Sequence, residues 1–232
     1  MSSLIKMMGL ILVLFCMSLF AFFIDLNNYQ NINYENINYT TSRSFNNKKN
    51  VYSLIKTNRF YDLVLNNEFQ TIENELMKIN SIKNIEIYHN INLELQIDII
   101  DRDPIAVLLE LNSYMDSSGV IISTNNLVID SLVQITGSID KSKIPKILKT
   151  IKAFNYDKFF QNKLKSISFR DGDIYLNIRN YDIDIRLGNE HQLKNKLKML
   201  KGFYAYQNNK TVSKEYKQID LVYNNRLIAI KK

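Results

Sequence analysis

The 232-residue sequence contains one cysteine, two prolines, six glycines, two histidines and no tryptophan. Each scarcity removes a class of explanation. A single thiol, Cys16, permits neither a disulfide framework nor a thiolate metal site, so stability must come from packing. The glycines stand at 9, 119, 137, 172, 188 and 202, too dispersed to form a loop of backbone amides around a phosphate, and nucleotide chemistry is set aside. His89 falls in a predicted turn and His191 at a predicted helix start. An acid/base or metal-bound histidine needs placed partners, and nothing in the sequence supplies them, so both read as solvated and non-catalytic. Asp101 with Asp103, and Asp171 with Asp173, could each share a strand face. Paired carboxylates do acid/base work only in a cleft that drives their pKa values apart, and these read as strand-end and turn residues. The sequence thus argues against an enzyme, a cofactor and a small-molecule substrate.

What the sequence has in excess is asparagine, isoleucine and lysine, which fill 85 of the 232 positions, with Lys outnumbering Arg 23 to 7. Such a skew is what a very AT-rich genome writes. It weakens the meaning of the net charge of +7, which would otherwise suggest a nucleic-acid or anionic-surface partner. No arginine stripe or RNA-binding aromatic signature accompanies the lysines, so they read as solvated faces and no nucleic-acid partner is expected. A hydrophobic fraction of 46% supplies enough apolar side chains for one large or two small cores.

Residues 7–24 run without a charge between Lys6 and Asp25, close to the minimum that spans a hydrocarbon core. A cleaved signal peptide needs a small-x-small pair after its apolar core; here Ser18 and Ala21 are spaced by three, and Phe20, Phe22 and Phe23 crowd the site. A lipoprotein site at Val13-Leu14-Phe15-Cys16 has a bulky Phe where a small residue should precede the cysteine. A buried soluble helix would carry a polar stripe, and only Ser18 interrupts the run. The expectation is a retained single transmembrane helix with Met7, Leu10, Leu14, Phe20 and Ile24 as anchor residues. Residues 1–6 form a cytoplasmic tail, since Lys6 favours that side for the short end, and the rest is exported.

Beyond the anchor, residues 25–50 hold nine asparagines and read as a tether, broken by a possible short strand around Ile32, Tyr34, Ile37 and Tyr39. Helical spacing follows, around Val51, Leu54 and Ile55 and then Phe69, Ile72, Leu76 and Ile79. Two helices are expected, with Asn66-Asn67 as the second N-cap. Ile85 and Ile87 form a strand, His89-Asn90 a turn, and the alternation Ile91, Leu93, Leu95, Ile97, Ile99 a half-buried partner strand. After Asp103-Pro104 a strand at Ile105 to Leu111 leads into Asp116-Ser117-Ser118-Gly119, which has type I turn chemistry. A helix from Ser142 to Phe160, with Pro145 in its first turn, is followed by three short strands at Ile167–Phe169, Ile174–Ile178 and Ile183–Leu187 that read as a meander. A second helix spans Glu190 to Tyr206 with Leu193, Leu197, Leu200 and Phe203 inward, and a hairpin-like stretch runs from Gln218 to Lys231. The fold class is α+β, and no internal repeat is evident.

Three stretches in this order resemble the bacterial cell-division family FtsQ, also called DivIB. Asp101-Arg102-Asp103-Pro104-Ile105-Ala106 is similar to the signature where a POTRA domain meets a β domain. Tyr114-Met115-Asp116-Ser117-Ser118-Gly119-Val120 resembles the family's aliphatic-Asp-x-x-Gly turn. Ile219-Asp220-Leu221-Val222-Tyr223 resembles its terminal Asp-Leu-Arg-Tyr motif, with Val222 in place of Arg and Asn225-Arg226 in place of a small pair. The resemblance covers essentially the whole chain. It implies a tether at 25–31, a POTRA domain of strand-helix-helix-strand-strand order at 32–103, and a mostly antiparallel β domain with two helices at 104–232.

In function the resemblance implies a non-catalytic divisome scaffold at the division septum, single-pass in the bacterial inner (cytoplasmic) membrane with its domains outside the cytoplasm. Its partners would be of the FtsB and FtsL type, and it would influence septal peptidoglycan synthesis. Transferred by position, the partner-binding edge is Tyr223, Asn224, Asn225, Arg226, Leu227, Ile228, Ala229 and Ile230, where strand addition would draw affinity from main-chain groups. The alternatives are another POTRA-bearing assembly or chaperone factor for exported proteins, and an anchored cell-wall enzyme subunit.

Overall fold

The structure, a computed structural model, describes residues 2–29, 37–40, 47–91, 94–124, 131–208 and 216–232. Side chains are described for 7–21, 49–91, 94–124, 131–208 and 216–232. The chain divides into two compact units, residues 1–102 and 103–232, each with its own apolar core.

The first unit opens with helix α1, Ser2–Tyr29. Met7, Leu10, Leu14 and Phe20 are exposed on it, while the Ile24 side chain lies outside the described residues. Among the described residues no helix is long and apolar enough to cross a membrane. Strand β1, Ile37–Thr40, is followed by helices α2 (Asn47–Ile55), α3 (Asn58–Leu65) and α4 (Phe69–Leu76) and strands β2 (Ile82–His89) and β3 (Leu95–Asp101). The Ile32 and Tyr34 part of the expected first strand lies outside the described residues. The three strands form one sheet in the order β1-β3-β2, with β1 parallel and β2 antiparallel to β3. Val51, Ile55, Phe60, Val64, Ile72 and Leu76 from the helices close over Ile85, Ile87, Ile97 and Ile99 of the sheet.

Three helices stand here where the periodicity predicts two: the added break falls at Lys56-Thr57, between α2 and α3, while Asn66-Asn67 divides α3 from α4 by a different device from the N-cap expected. Thr57 caps α3 by accepting from the Phe60 N–H. Asn67 takes a left-handed backbone, φ 56°, so that its N–H reaches the Val64 carbonyl at 3.0 Å and the Glu68 N–H reaches Leu63 at 2.9 Å. That pair of bonds is a Schellman stop, which asparagine accepts because it tolerates the αL region. The two asparagines end a helix instead of starting one. The β2–β3 hairpin also closes later than the alternation suggests. Asn90 bonds Glu94 through both backbone and side chain, so Ile91 projects fully into solvent and pairing begins at Leu95. The His89 ring packs edge-on against Phe69 with centroids 5.1 Å apart; it is half-buried, not solvated as expected.

The second unit is a nine-stranded sheet with two helices. Its elements are β4 (Pro104–Leu108), β5 (Ser113–Asp116), β6 (Ile121–Ser123), β7 (Val133–Thr136), α5 (Ile144–Tyr156), β8 (Leu164–Arg170), β9 (Asp173–Ile178), β10 (Asp184–Gly188), α6 (Leu193–Asn208), β11 (Tyr216–Asp220) and β12 (Ile228–Lys231). The order is β12-β11-β10-β9-β8-β7-β4-β5-β6. Pairing is mostly antiparallel, with parallel contacts at β4/β7, β7/β8 and β10/β11. The meander expected over β8–β9–β10 is present. Strand β7, in the middle of the sheet, escapes the sequence reading because four residues carry too little periodicity.

Parallel neighbours need a crossover: α5 is the crossover from β7 to β8 and α6 that from β10 to β11, whereas β7 comes beside β4 after β5 and β6. β8, β9 and β10 alternate in direction, so β7, β8, β10 and β11 all point one way and α5 and α6 run back against them, side by side. Ile147, Ile151 and Phe154 from α5, with Leu193, Leu197, Leu200 and Tyr204 from α6, bury against Ile135, Ile167, Leu176, Ile185 and Ile219 of the sheet. Helix α5 ends at Asp157, whose backbone turns extended and whose carboxylate accepts from the Phe159 N–H at 2.8 Å and from Lys201 Nζ at 3.2 Å. The Asp116 turn forms as its chemistry predicts. The Gly119 N–H donates to the Asp116 carbonyl at 3.1 Å, and the carboxylate takes the N–H groups of Ser118 and Val120 at 2.9 Å.

Tyr204 is fully buried and its hydroxyl has no partner among the described residues; burial pushes the phenol pKa up. An unmet buried hydroxyl costs about 1–3 kcal/mol, so Tyr204→Phe leaves the unfolding free energy unchanged or raises it in a urea titration. A loss above about 1 kcal/mol would disprove the reading. Burial opposes ionisation of Asp157, but the Phe159 N–H and the Lys201 ammonium outweigh it and hold the carboxyl below its ordinary 3.8. A depressed folded pKa gives stability that is present above the unfolded value and lost as pH falls through the folded one. Melting temperatures of the wild type therefore fall more steeply with acid below the ordinary carboxylate pKa than those of Asp157→Asn.

Candidate partner-binding edge

β12 ends the nine-stranded sheet. It pairs with β11 alone, in the register Gln218↔Ile230, Ile219↔Ala229 and Asp220↔Ile228. Because side chains alternate along a strand, Ala229 follows the buried Ile219 toward the helices. Ile228 and Ile230 follow Asp220 and Gln218 onto the opposite face, 45% and 36% exposed. Among the described residues no strand pairs with the outer flank of β12.

The run Tyr223 to Ile230 is not one continuous strand. Tyr223, Asn224, Asn225 and Arg226 form an exposed turn, closed by the Arg226 N–H donating to the Tyr223 carbonyl at 3.3 Å, with Asn225 at φ 55°. Leu227 is half-buried against the core of the second unit. Only Ile228, Ala229 and Ile230, with Lys231, belong to the strand. The Asn-Arg pair that replaces a small pair still turns, since asparagine supplies the positive φ.

One strand inward lies a charge ladder that the sequence reading missed. Arg186 on β10 stands between Asp173, the first residue of β9, and Asp220 on β11. Its Nε donates to Asp173 Oδ2 at 2.8 Å and its Nη1 to Asp220 Oδ2 at 3.2 Å. Asp173 foremost, with Asp220 adding to it, raises the Arg186 pKa further. Asp220 is only 6% exposed and also accepts from the Val222 N–H at 2.9 Å. A buried carboxylate needs such partners, and here they hold β11 at the place where the chain leaves it for β12. The visible signal was Asp220 within the Ile219–Tyr223 motif, but its partner 34 residues earlier is found only by pairing β10 with β11. Among the described residues, no three His, Cys, Asp or Glu side chains cluster to hold a metal ion.

The contrast with the first unit is informative. β2 is also an edge strand, yet Glu73 of α4 reaches over and takes the Ile87 N–H at 2.8 Å. A carboxylate on an edge N–H occupies a group that an incoming strand would use. Comparison with known families gives the match that decides the identity of this second unit: the model of FtsQ/DivIB, C-terminal related, covers residues 103–230. The chain belongs to the FtsQ/DivIB C-terminal-related family. No curated protein matches the chain. FtsQ/DivIB proteins are non-catalytic scaffolds of the divisome, so membership places the chain in cell division among protein partners.

If Arg186 holds the β10–β11 junction, its loss should loosen the strand that supports the edge. The Leu221 N–H donates to the Arg186 carbonyl at 2.8 Å, which makes it a local reporter. In Arg186→Gln, exchange of the Leu221 amide is expected on the order of tenfold faster, with the amides of β2 in the other unit unchanged. Unaltered exchange at Leu221 would rule out the clamp.

Proposed function

We propose that this chain is a membrane-anchored divisome scaffold that captures FtsB- and FtsL-type partners by strand addition at β12 and regulates septal peptidoglycan synthesis. The observation that carries the reading is the open flank of β12 in the unit that matches the family, with Ile228 and Ile230 exposed beside it. Strand addition takes affinity from main-chain N–H and C=O groups and specificity from alternate side chains. The substitutions at Val222 and Asn225-Arg226 therefore leave the affinity source intact. The uncharged run at residues 7–24 supports a single-pass anchor in the cytoplasmic membrane, and the order strand, three helices, strand, strand over residues 37–101 supports a POTRA domain at 32–103. Both folded units would then lie outside the cytoplasm at the septum, with residues 25–31 as tether and the β domain from 104.

The test reads partner capture and fold separately. Ile228→Lys with Ile230→Lys places two charges on the exposed side chains of the edge, a device that natural edges use against pairing. Full-length variant and wild type are purified from native membranes and the co-purifying division proteins quantified. Loss of the FtsB/FtsL-type partners on the order of tenfold, at an unchanged melting temperature, is expected. Undiminished capture would refute the edge, and recovery of outer-membrane assembly components instead would refute the divisome role. Leu227→Pro is the poorer probe, because Leu227 packs on the core.

A further inference from the structure

Charge is distributed unevenly over the second unit. Helix α5 carries Lys146, Lys149 and Lys152, and α6 carries Lys194, Lys196, Lys198 and Lys201; neither holds an Asp, Glu or Arg. Those seven lysines equal the entire net charge of +7, and the remaining 23 basic and 23 acidic residues balance. A compositional excess of lysine does not explain a face without acids: in the same chain α3 holds Asp62 and α4 holds Glu73 and Glu75.

The burial pattern decides which lysines are available. Lys196 turns inward and donates to the Leu187 and Asn189 carbonyls at 2.8 and 2.9 Å. The other six are exposed. Lys201 is paired with Asp157, while Lys146, Lys149, Lys152, Lys194 and Lys198 have no acidic partner among the described residues. Successive lysines on α5 are about 4.5 Å apart along the axis, since the helix rises about 1.5 Å per residue. Two packed helices lie about 8–10 Å apart. The result is a two-dimensional raft of ammonium groups, a geometry that matches a plane of anions better than a single linear polymer. At the shared C-terminal end of the raft two tyrosines are bare, Tyr156 at 87% and Tyr206 at 54% exposure. Tyrosine is an amphipathic side chain suited to a boundary between water and an apolar phase.

We propose that the outer surface of α5 and α6 docks on the anionic phospholipid headgroups of the membrane that the N-terminal helix enters. Lysine suits the role because it is a point charge without bidentate geometry, able to follow fluid phosphates. Docking would lay the helix layer on the bilayer and turn the polar face of the sheet toward the aqueous side. This proposal rests on the anchored topology above, and the experiment separates the two.

The full-length chain is reconstituted into vesicles of phosphatidylcholine alone or with about one-third phosphatidylglycerol, and surface lysines are acylated at low and high salt with mass-spectrometric readout. In the anionic vesicles Lys149, Lys194 and Lys198 should be acylated on the order of tenfold more slowly than in neutral ones, with protection lost at high salt. Lys217, beside the polar face of the sheet, should react equally in both. Changing Lys146, Lys149 and Lys152 to Glu should also remove protection at Lys194 and Lys198. Charge-neutral Gln versions give a partial loss if the glutamates disturb the helix. Equal acylation in both compositions would overturn the surface and leave the anchor standing, as would protection that appears only with an added soluble polyanion. A chain that floats only with anionic vesicles, and only at low salt, would sink the anchor and leave the lysine surface standing.

Discussion

Among the described residues, helices cover the β7 to β11 part of the second unit's sheet on one face only, and most of what the molecule offers to others follows from that. Two crossover helices lay Ile147, Phe154, Leu197, Leu200 and Tyr204 on the buried face, and every second side chain of the strands is drawn to that side. The register then puts the other side chains on the opposite face: Thr136, Ser168, Tyr175, Arg186 and Asp220 form one cross-strand row with Gln134, Ser166 and Asn177 beside it, all half-buried except Asp220, which its partners bury. A sheet with one wet face can end in an open edge without forfeiting its core. The same helices must present their own outer faces to solvent, which is where the unpaired lysines gather.

That row also explains how a short terminal strand can stay in place. β12 has four residues and meets the sheet through β11 alone, so its stability depends on how firmly β11 is held. Asp220 ties β11 to Arg186, and the Leu221 N–H continues the pairing to the Arg186 carbonyl. Asn225 at positive φ reverses the chain, and Leu227 returns it to the core. The only charged side chain on β12 is that of Lys231, and its two isoleucines face outward. Edges exposed in this way are usually blunted, as Glu73 does for β2. An edge left open in a family of scaffolds fits capture of another chain.

Much of the secondary structure was legible because its signals are local. The Leu95–Asp101 alternation, the proline in the first turn of α5, the Asp116 turn and the apolar stripe of α6 each depend on spacing within a dozen residues, and each stands where the pattern put it to within a few positions. The misreadings share a cause. Asn66-Asn67 has the composition of both a helix start and a helix stop, and only the backbone angle of Asn67 separates the two. His89 looked like a turn residue because the packing of Phe69 beside it comes from a helix twenty residues away. The Tyr223–Ile230 stretch predicts a single edge strand, whereas half of it turns so that Leu227 can rejoin the core.

By itself the sequence determined an α+β chain with two cores, scarce in the residues that metal, disulfide and phosphate chemistry require, because those properties depend on composition and short-range periodicity. The order of its motifs already pointed to the FtsQ/DivIB family. Only tertiary structure decided that β10 lies beside β11, which brings Arg186 to Asp220, that β12 closes the sheet with one flank open, and that α5 and α6 lie side by side and pool their lysines. These are relations between residues tens of positions apart. They arise when parallel strands demand crossovers and buried faces demand cover, and no local pattern encodes which neighbour satisfies that demand.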